Sequence, residues 1–275
     1  MSFCDLLIEK SHFYTKTVEN AIAFGKNIDL DCFEHLFFES QEYTVEKSGV
    51  LCFEDSFYPY EFYQQIKKLG TPFEKSSLYL YILLSEKSFS LFKKRGLSDE
   101  IFFETLKTVA DEAKEYHTAK GDDGLFNYHF LANNIIGSIL RLGVFEYQYG
   151  IYNNSRAIFM HVPNGADLTK EKRLHSYLLA KKYYGDLSIV GDSWLLYPEN
   201  KKILPSDSKI VDFMNDFDLI SVYETMDYSE LFHIFGRLSD YSYENLPKKT
   251  CLQRGYAERI LEKLPIGSGV GVLKF

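Results

Sequence analysis

The stretch IFMHVPNGADLTKEKRLHSYLLAKKYY, from Ile158 to Tyr184, decides the fold because it joins two different periodicities. Its apolar start is typical of a buried strand, and its second half repeats apolar residues at helical spacing. The Pro163-Asn164-Gly165 sequence between them is typical of a turn. A strand that leads into a helix also presents helix amides to an anion. The stretch is therefore either a plain turn or a phosphate-binding site.

The flanking sequence predicts a sheet around this stretch. GVFEYQYGIY and SRAIFMHVP are rich in β-branched and aromatic residues, and the turn at residues 153–155 joins them as an antiparallel hairpin. A turn centred near Asn154 places the partner of Glu146 at about Val162, one residue past His161. Farther along the chain, LSIVGDSWLLYP, DLISVYET and LFHIFG are expected to form strands, and TCLQRGYAERILEKL is expected to form a helix.

The first 120 residues show a mostly helical pattern. The run from Asp5 to Gly25 has helical spacing, and Gly25 is a plausible C-terminal cap. A second helix is expected after Ser98, the N-cap candidate, and before Gly121. The polar KGDDG segment is the best boundary. We therefore expect a helical domain at 1–120 and a second domain, with mixed α and β structure, at 121–275.

Composition excludes several classes of protein. The chain has 275 residues, a formal charge of −8 and no dense Lys/Arg run, which argues against a nucleic-acid partner. No apolar stretch approaches a membrane span and the N-terminus lacks a signal pattern, so a cytoplasmic protein without a membrane partner is expected. The four cysteines lie far apart and predict no metal site.

Five short motifs, spread in order over Arg141 to Arg254, carry a family resemblance: RLGVFEYQ, HVPNGADL, SWLLYP, LPSDSKIVDF and LPKKTCLQR. This series resembles the GNAT-like C-terminal domain of bacterial acyltransferase-domain proteins. The helical first half resembles the N-acyltransferase N-terminal domain that accompanies it. The resemblance implies an α/β (α+β) fold with a mixed, bent sheet flanked by helices. It also implies that acyl-coenzyme A binds in a splay between adjacent strands.

The resemblance turns the strand–loop–helix stretch into a candidate cofactor site. The pyrophosphate of coenzyme A is expected at the loop, with these residues available to the cofactor: Val162, Asn164, Gly165, Ala166 and Thr169. Gly165 permits a positive φ or close approach of the backbone. Asp167 disfavours binding of coenzyme A at this loop, because a carboxylate repels a pyrophosphate.

Three residues are candidates for the chemistry. Glu146 and His161 are candidate bases for deprotonating an amine, and Tyr197 follows a strand near the position of a general-acid tyrosine in many GNAT enzymes. Each has a structural alternative: Glu146 on a solvent-facing strand position, His161 as a structural histidine, and Tyr197 as a packing residue.

The resemblance therefore implies an N-acyltransferase. It would move an acyl group from acyl-coenzyme A, its co-substrate, to a small amine by direct attack on the thioester, without a metal. The alternative is a noncatalytic GNAT-like protein that binds a ligand or a partner. Asp167 and the lack of a basic phosphate loop favour that alternative. The acyl chain, the acceptor and the oligomeric state stay open.

Overall fold

The computed structural model describes residues 2–46, 49, 51–53, 57–228, 231–236 and 245–275. The chain divides into two compact units, Met1–Leu142 and Gly143–Phe275.

The first unit is mostly helical. Its elements are α1 (Phe3–Ser11), α2 (Thr15–Gly25), α3 (Leu30–Phe38), β1 (Tyr43–Val45), β2 (Leu51–Phe53), α4 (Tyr60–Ile66), a 3₁₀ turn (Lys67–Leu69), α5 (Phe73–Lys94), α6 (Asp99–Lys120), α7 (Tyr128–Ile136) and β3 (Ile139–Leu142). Strands β1 and β2 form a small antiparallel ladder.

The ends of the first helices follow from local sequence. The Ser98 hydroxyl accepts a hydrogen bond from the Ile101 N–H at 3.3 Å, and Gly121 ends α6 in the left-handed conformation. Both caps agree with the sequence prediction. The run ending at Gly25 is two helices rather than one, because His12 adopts φ +64° and its N–H bonds back to the Leu7 carbonyl.

Aromatic side chains build much of the core of this unit, and the buried hydroxyls of Tyr63 and Tyr81 have partners inside it. Phe37 and Phe62 pack with ring centroids 4.9 Å apart. The Tyr63 and Tyr81 hydroxyls lie 3.0 Å apart, and the Tyr81 hydroxyl donates to the Tyr128 carbonyl at 2.7 Å. A buried tyrosine needs such a partner, so these residues are structural.

Arg95 ties the region after residue 120 to the helices before it. Its guanidinium is nearly buried and donates to the carbonyl groups of Gly49, Ile136 and Gly137 at 2.7, 3.2 and 2.7 Å. Helix α7 and strand β3 therefore belong to the first compact unit. The unit ends at Leu142, whereas the sequence-based boundary falls at the end of α6, because the polar KGDDG segment is a turn inside the unit.

The second unit contains the larger sheet. Its elements are β4 (Phe145–Tyr152), β5 (Ser155–His161), α8 (Lys170–Tyr184), β6 (Ser188–Ser193), a 3₁₀ turn (Trp194–Leu196), α9 (Asn200–Ile203), α10 (Lys209–Met214), β7 (Phe217–Thr225), α11 (Phe232–Phe235), α12 (Cys251–Leu261) and β8 (Ile266–Leu273). The strands lie in the order β4-β5-β6-β8-β7, and only the β5–β6 pair is parallel.

The predicted hairpin is present, with a register one residue away from the expected one. Asn153 and Asn154 form its turn with φ +49° and +60°, and Glu146 pairs with His161 instead of Val162. A two-residue turn with positive φ values matches the twist of the flanking strands. The turn thus sets the register of both strands.

Two details differ from the sequence prediction. The LFHIFG segment contains the short helix α11, whose Ile234 and Phe235 pack with the α12 residue Tyr256, so the expected strand is wrong. The strand expected to reach Pro198 stops at Ser193, where a 3₁₀ turn begins. Within the described parts of the chain, no helix is both long and apolar enough to cross a membrane.

Replacing Arg95 by Met should lower the free energy of unfolding by about 2–4 kcal/mol, because buried carbonyl groups lose a charged donor. Urea unfolding followed by circular dichroism measures this change. Lys16→Met is the control: its ammonium is exposed and forms a surface ion pair with Glu19 at 3.6 Å, so a change within about 0.5 kcal/mol is expected. Equal unfolding midpoints for Arg95→Met and wild type would contradict the role given to Arg95.

Candidate active site

Strands β5 and β6 part inside the sheet. Their parallel pairing ends at Met160 and Gly191. Beyond that point β5 still pairs with β4 through His161, while β6 still pairs with β8 through Ser193. We call this divergence the strand fork; its arms are residues 161–162 and 192–193. The β5–β6 ladder does not engage the backbone groups between the arms, and such groups suit the amides of an extended ligand.

Glu146 and His161 lie together beside the fork. They are direct partners in the antiparallel β4–β5 ladder, so their side chains share one face of the sheet. Gln148 lies on the same face, and its Oε1 is 3.2 Å from His161 Nε2. The Glu146 side chain is 1% exposed, which excludes the solvent-facing alternative. The structure therefore brings two of the three candidate catalytic residues together.

The environment of His161 keeps its imidazole neutral at neutral pH. Burial lowers the pKa of His161 to about 4, because desolvation penalises the charged ring. A neutral imidazole can accept a proton, and the neighbouring Glu146 carboxyl can stabilise the imidazolium that would result.

Tyr197 has a different environment. Its hydroxyl donates to Glu224 Oε1 at 2.5 Å and accepts from Arg259 Nη2 at 3.3 Å. Burial and the hydrogen bond to Glu224 raise the pKa of Tyr197 well above its ordinary value. The Tyr197 ring also packs so closely over β8 that a methyl group on Gly267 would lie 2.8 Å from it.

Tyr197 lies across the sheet from the other two candidates. Gly267, which Tyr197 covers, shares a face of β8 with Gly271. The register connects that face, strand by strand, through Gly271, Gly191, Met160 and Tyr147. Glu146 is next to Tyr147 in β4 and therefore points to the opposite face. The structure does not bring Tyr197 together with Glu146 and His161.

The loop at 162–169 follows the β5 arm of the fork and leads into α8. The Ala166 N–H bonds to the Pro163 carbonyl at 3.1 Å, and Gly165 has φ +74° with open space around it. Thr169 is the N-cap of α8, but its side chain makes no capping hydrogen bond. The first-turn amides of a helix attract an anion, and the loop ends directly before them.

The negative charge of the Asp167 carboxylate is partly compensated by its partners. It accepts a hydrogen bond from the Thr169 N–H at 3.1 Å and lies 3.2 Å from the Nζ atom of Lys209, which is the first residue of α10. These contacts hold the pKa of Asp167 below its ordinary value. Lys209 therefore offsets the repulsion that the sequence alone predicts between Asp167 and a pyrophosphate.

Sequence reasoning missed Arg173, in the first turn of α8. Its side chain is 1% exposed and bonds to the Leu168 carbonyl, to Asp212 and to Asp216. Burial disfavours its charge, but the two carboxylates outweigh burial and raise the pKa of Arg173. A signal was available: Arg173 is a charged residue on the buried stripe of α8 that includes Tyr177 and Ala180.

Among the described residues, no group of three or more His, Cys, Asp or Glu side chains is placed to hold a metal ion.

Comparison by sequence places the chain in a family. The profile of the GNAT-like C-terminal domain family matches residues 86–273, more than half of the chain, and the chain therefore belongs to this family. The resemblance seen in the spaced motifs is confirmed. No curated protein matches the sequence significantly.

Solved structures share the fold over nearly the whole chain. An acyltransferase in complex with decanoyl-CoA and teicoplanin has a TM-score of 0.77 and 17% identity, over 98% of this chain and 87% of its own. An acyltransferase in complex with CoA and 10C-teicoplanin has a TM-score of 0.77 and 17% identity, over 100% and 88%. A third, with decanoyl-CoA, has a TM-score of 0.76 and 16% identity, over 99% and 87%. The predicted fold class, helices followed by a mixed sheet, is confirmed.

The pKa of His161 predicts how stability changes with pH. Between the ordinary value of 6.5 and the folded value of about 4, the unfolded chain binds a proton at this ring and the folded protein does not. Stability present above pH 6.5 is therefore lost on acidification towards pH 4. The loss of unfolding free energy between about pH 7 and pH 4.5 should be about 1–2 kcal/mol larger in wild type than in His161→Gln.

Urea unfolding at the two pH values measures the difference. His175→Gln, which replaces an exposed histidine of the same unit, is the control and should keep the wild-type dependence. An identical pH dependence in wild type and His161→Gln would contradict a lowered pKa at His161.

Proposed function

We propose that the protein is an acyl-CoA-dependent N-acyltransferase. The observation that carries the proposal is the strand fork, with the loop at 162–169 on one side and the Glu146–His161 pair beside it. The acyltransferases that share the fold were solved with decanoyl-CoA or CoA, which supports the class of donor. The acceptor is proposed to be a small amine.

The donor would bind by its two polar parts. The pyrophosphate of coenzyme A would lie at the loop and the first turn of α8, with Asn164, Gly165, Ala166 and Thr169 nearest to it. The pantetheine amides would enter the strand fork, where Val162 continues the β5 arm. Open space around Gly165 supports this placement, because an anion can approach the backbone there.

The reaction would be a direct transfer. The amine nitrogen attacks the thioester carbonyl carbon, a C–N bond forms and the C–S bond breaks. The amine loses a proton to the neutral His161 imidazole, and Glu146 stabilises the imidazolium. The coenzyme A thiolate leaves and takes the proton from the His161 imidazolium, which restores the neutral ring, so the products are an amide and free coenzyme A. A backbone N–H at the fork would stabilise the oxyanion.

Tyr197 is left outside this reaction. Its hydroxyl is engaged by Glu224 and Arg259, and it lies on the other face of the sheet from His161. We assign it a packing role against β8, directly after the 3₁₀ turn that follows β6. Its hydroxyl then stabilises β7 and α12 through those two partners.

A noncatalytic binding protein is the second candidate. One observation favours it: the lowered pKa of His161 makes that ring a weak base. Coenzyme A binding without turnover on any amine tested would select this candidate. Two experiments distinguish the enzyme from the binding protein. Calorimetric titration with acetyl-, octanoyl- and decanoyl-CoA measures binding, and an assay for released thiol with a panel of amines measures turnover.

Replacing Gly165 by Val should weaken coenzyme A binding by about tenfold or more, because a β-branched side chain resists a positive φ and the loop backbone must shift. Gly185→Val is a matched control. Gly185 has φ +73° and open space, but it lies at the other end of α8. Both variants should lose stability, and only Gly165→Val should lose affinity by calorimetry. Wild-type affinity in folded Gly165→Val would reject the placement.

The proposed base predicts a separation of turnover from binding. His161→Gln should lower kcat by about 10²- to 10⁴-fold and keep acyl-CoA affinity, and Glu146→Gln should lower kcat in the same direction. Wild-type kcat should fall as the pH drops towards about 4, and His161→Gln should lack this acid limb. Tyr197→Phe is the control and should keep kcat within a few-fold. Unchanged kcat and pH profile in both variants would remove His161 and Glu146 from the mechanism.

A further inference from the structure

The loop at 162–169 is held by a buried ionic network. Arg173 Nη1 donates to the Leu168 carbonyl at 2.6 Å. Its Nε donates to Asp216 Oδ2 at 2.8 Å, and its Nη2 donates to Asp212 Oδ2 at 2.8 Å. The Tyr177 hydroxyl adds a further hydrogen bond to Asp216 Oδ2 at 3.0 Å. One guanidinium thus joins the loop, α10 and the turn after α10.

The position of the Leu168 carbonyl matters because it directly precedes Thr169, the N-cap of α8. Fixing this carbonyl fixes the peptide that leads into the first-turn amides. The planar guanidinium of an arginine has several N–H groups and can hold a carbonyl and two carboxylates at once. A lysine ammonium is a point charge and cannot do this in the same geometry. Arg173 therefore defines where the loop meets the helix.

Helix α10 supplies a second tie to the same loop. Lys209, its first residue, lies 3.2 Å from Asp167, next to Leu168. Asp212, one turn along α10, binds Arg173. Helix α10 thus holds two adjacent loop residues: it binds Asp167 directly through Lys209, and it holds Leu168 through Arg173.

Arg173 itself is badly placed to contact an anion. Its side chain is 1% exposed, and two carboxylates balance its charge. Its effect on a ligand at the loop must therefore pass through the backbone that it holds.

We infer that Arg173 is a positioning residue for the pyrophosphate site: it holds the 162–169 loop and the first turn of α8 ready for a diphosphate. The inference rests on the proposed function for the identity of the ligand, coenzyme A. The Arg173 side chain is buried and bonded to the loop backbone and two carboxylates, so its effect falls on binding of the diphosphate part and leaves the acyl-transfer step unchanged.

The experiment uses the full chain and four variants. Arg173→Met removes the network, and Arg173→Lys keeps a charge with a different geometry. Arg173→Met leaves Asp216 without its cation and can fail to fold for that reason. The double variant Arg173→Met/Asp216→Asn removes this carboxylate charge as well. Arg259→Met is the matched control: Arg259 also joins a carboxylate, Glu199, to a carbonyl, Pro265, in the same unit but away from the loop.

Two measurements separate positioning from general stability. Hydrogen–deuterium exchange reports the amides of residues 164–172, and calorimetry gives the Kd for coenzyme A and for inorganic pyrophosphate. Loss of Arg173 should speed exchange in this segment and raise both Kd values by about ten- to a hundredfold. The KM for acetyl-pantetheine, which lacks the diphosphate, should stay unchanged. Arg173→Lys should fall between wild type and Arg173→Met, and Arg259→Met should match wild type.

Wild-type Kd values in Arg173→Met or in the double variant would overturn the inference. An equal loss of affinity in Arg259→Met would also overturn it, because the effect would then be one of general stability. Failure of the proposed function is visible without any variant: wild-type protein would bind neither coenzyme A nor pyrophosphate, and the positioning role would fall with it.

Discussion

The structure of the second unit depends on one constraint, the end of the parallel pairing between β5 and β6. A sheet can open in its middle only if each strand keeps its other neighbour, and here β5 keeps β4 while β6 keeps β8. The β5–β6 ladder does not engage the inner side of the fork, and backbone N–H and C=O groups can bind the amides of an extended ligand, which is the role that we propose for this place.

Packing on β8 and β4 stabilises the sheet on either side of this opening. The 3₁₀ turn after β6 lies so close to β8 that a methyl group on Gly269 would sit 2.5 Å from the Leu196 carbonyl. A glycine is therefore required there, and the chain leaves β6 immediately after the fork. On the β5 side, α8 packs on the sheet through the Ser176 hydroxyl, 3.1 Å from the Tyr147 hydroxyl. Separate contacts, on β8 and on β4, thus support the strands on the two sides of the fork.

Much of the fold followed from local sequence, and the site followed only in part. The hairpin came from strand composition and the Asn153-Asn154 turn, but its register was one residue off, because a two-residue turn and a three-residue turn cannot be told apart by composition. The pairing of Glu146 with His161 depends on that single residue. Asp167 looked repulsive because Lys209, 42 residues away, was not visible as its partner. Tyr197 was a candidate by position alone, and its burial against Gly267 required the three-dimensional register.

The central claim is that the fork and the loop bind coenzyme A, and hydrogen–deuterium exchange of the wild-type protein with and without decanoyl-CoA tests it most directly. Bound ligand should slow exchange in peptides covering residues 158–173 and 189–196, which contain the two arms of the fork and the start of α8. Saturating decanoyl-CoA that leaves both segments unchanged, or that protects only other parts of the chain, would contradict it.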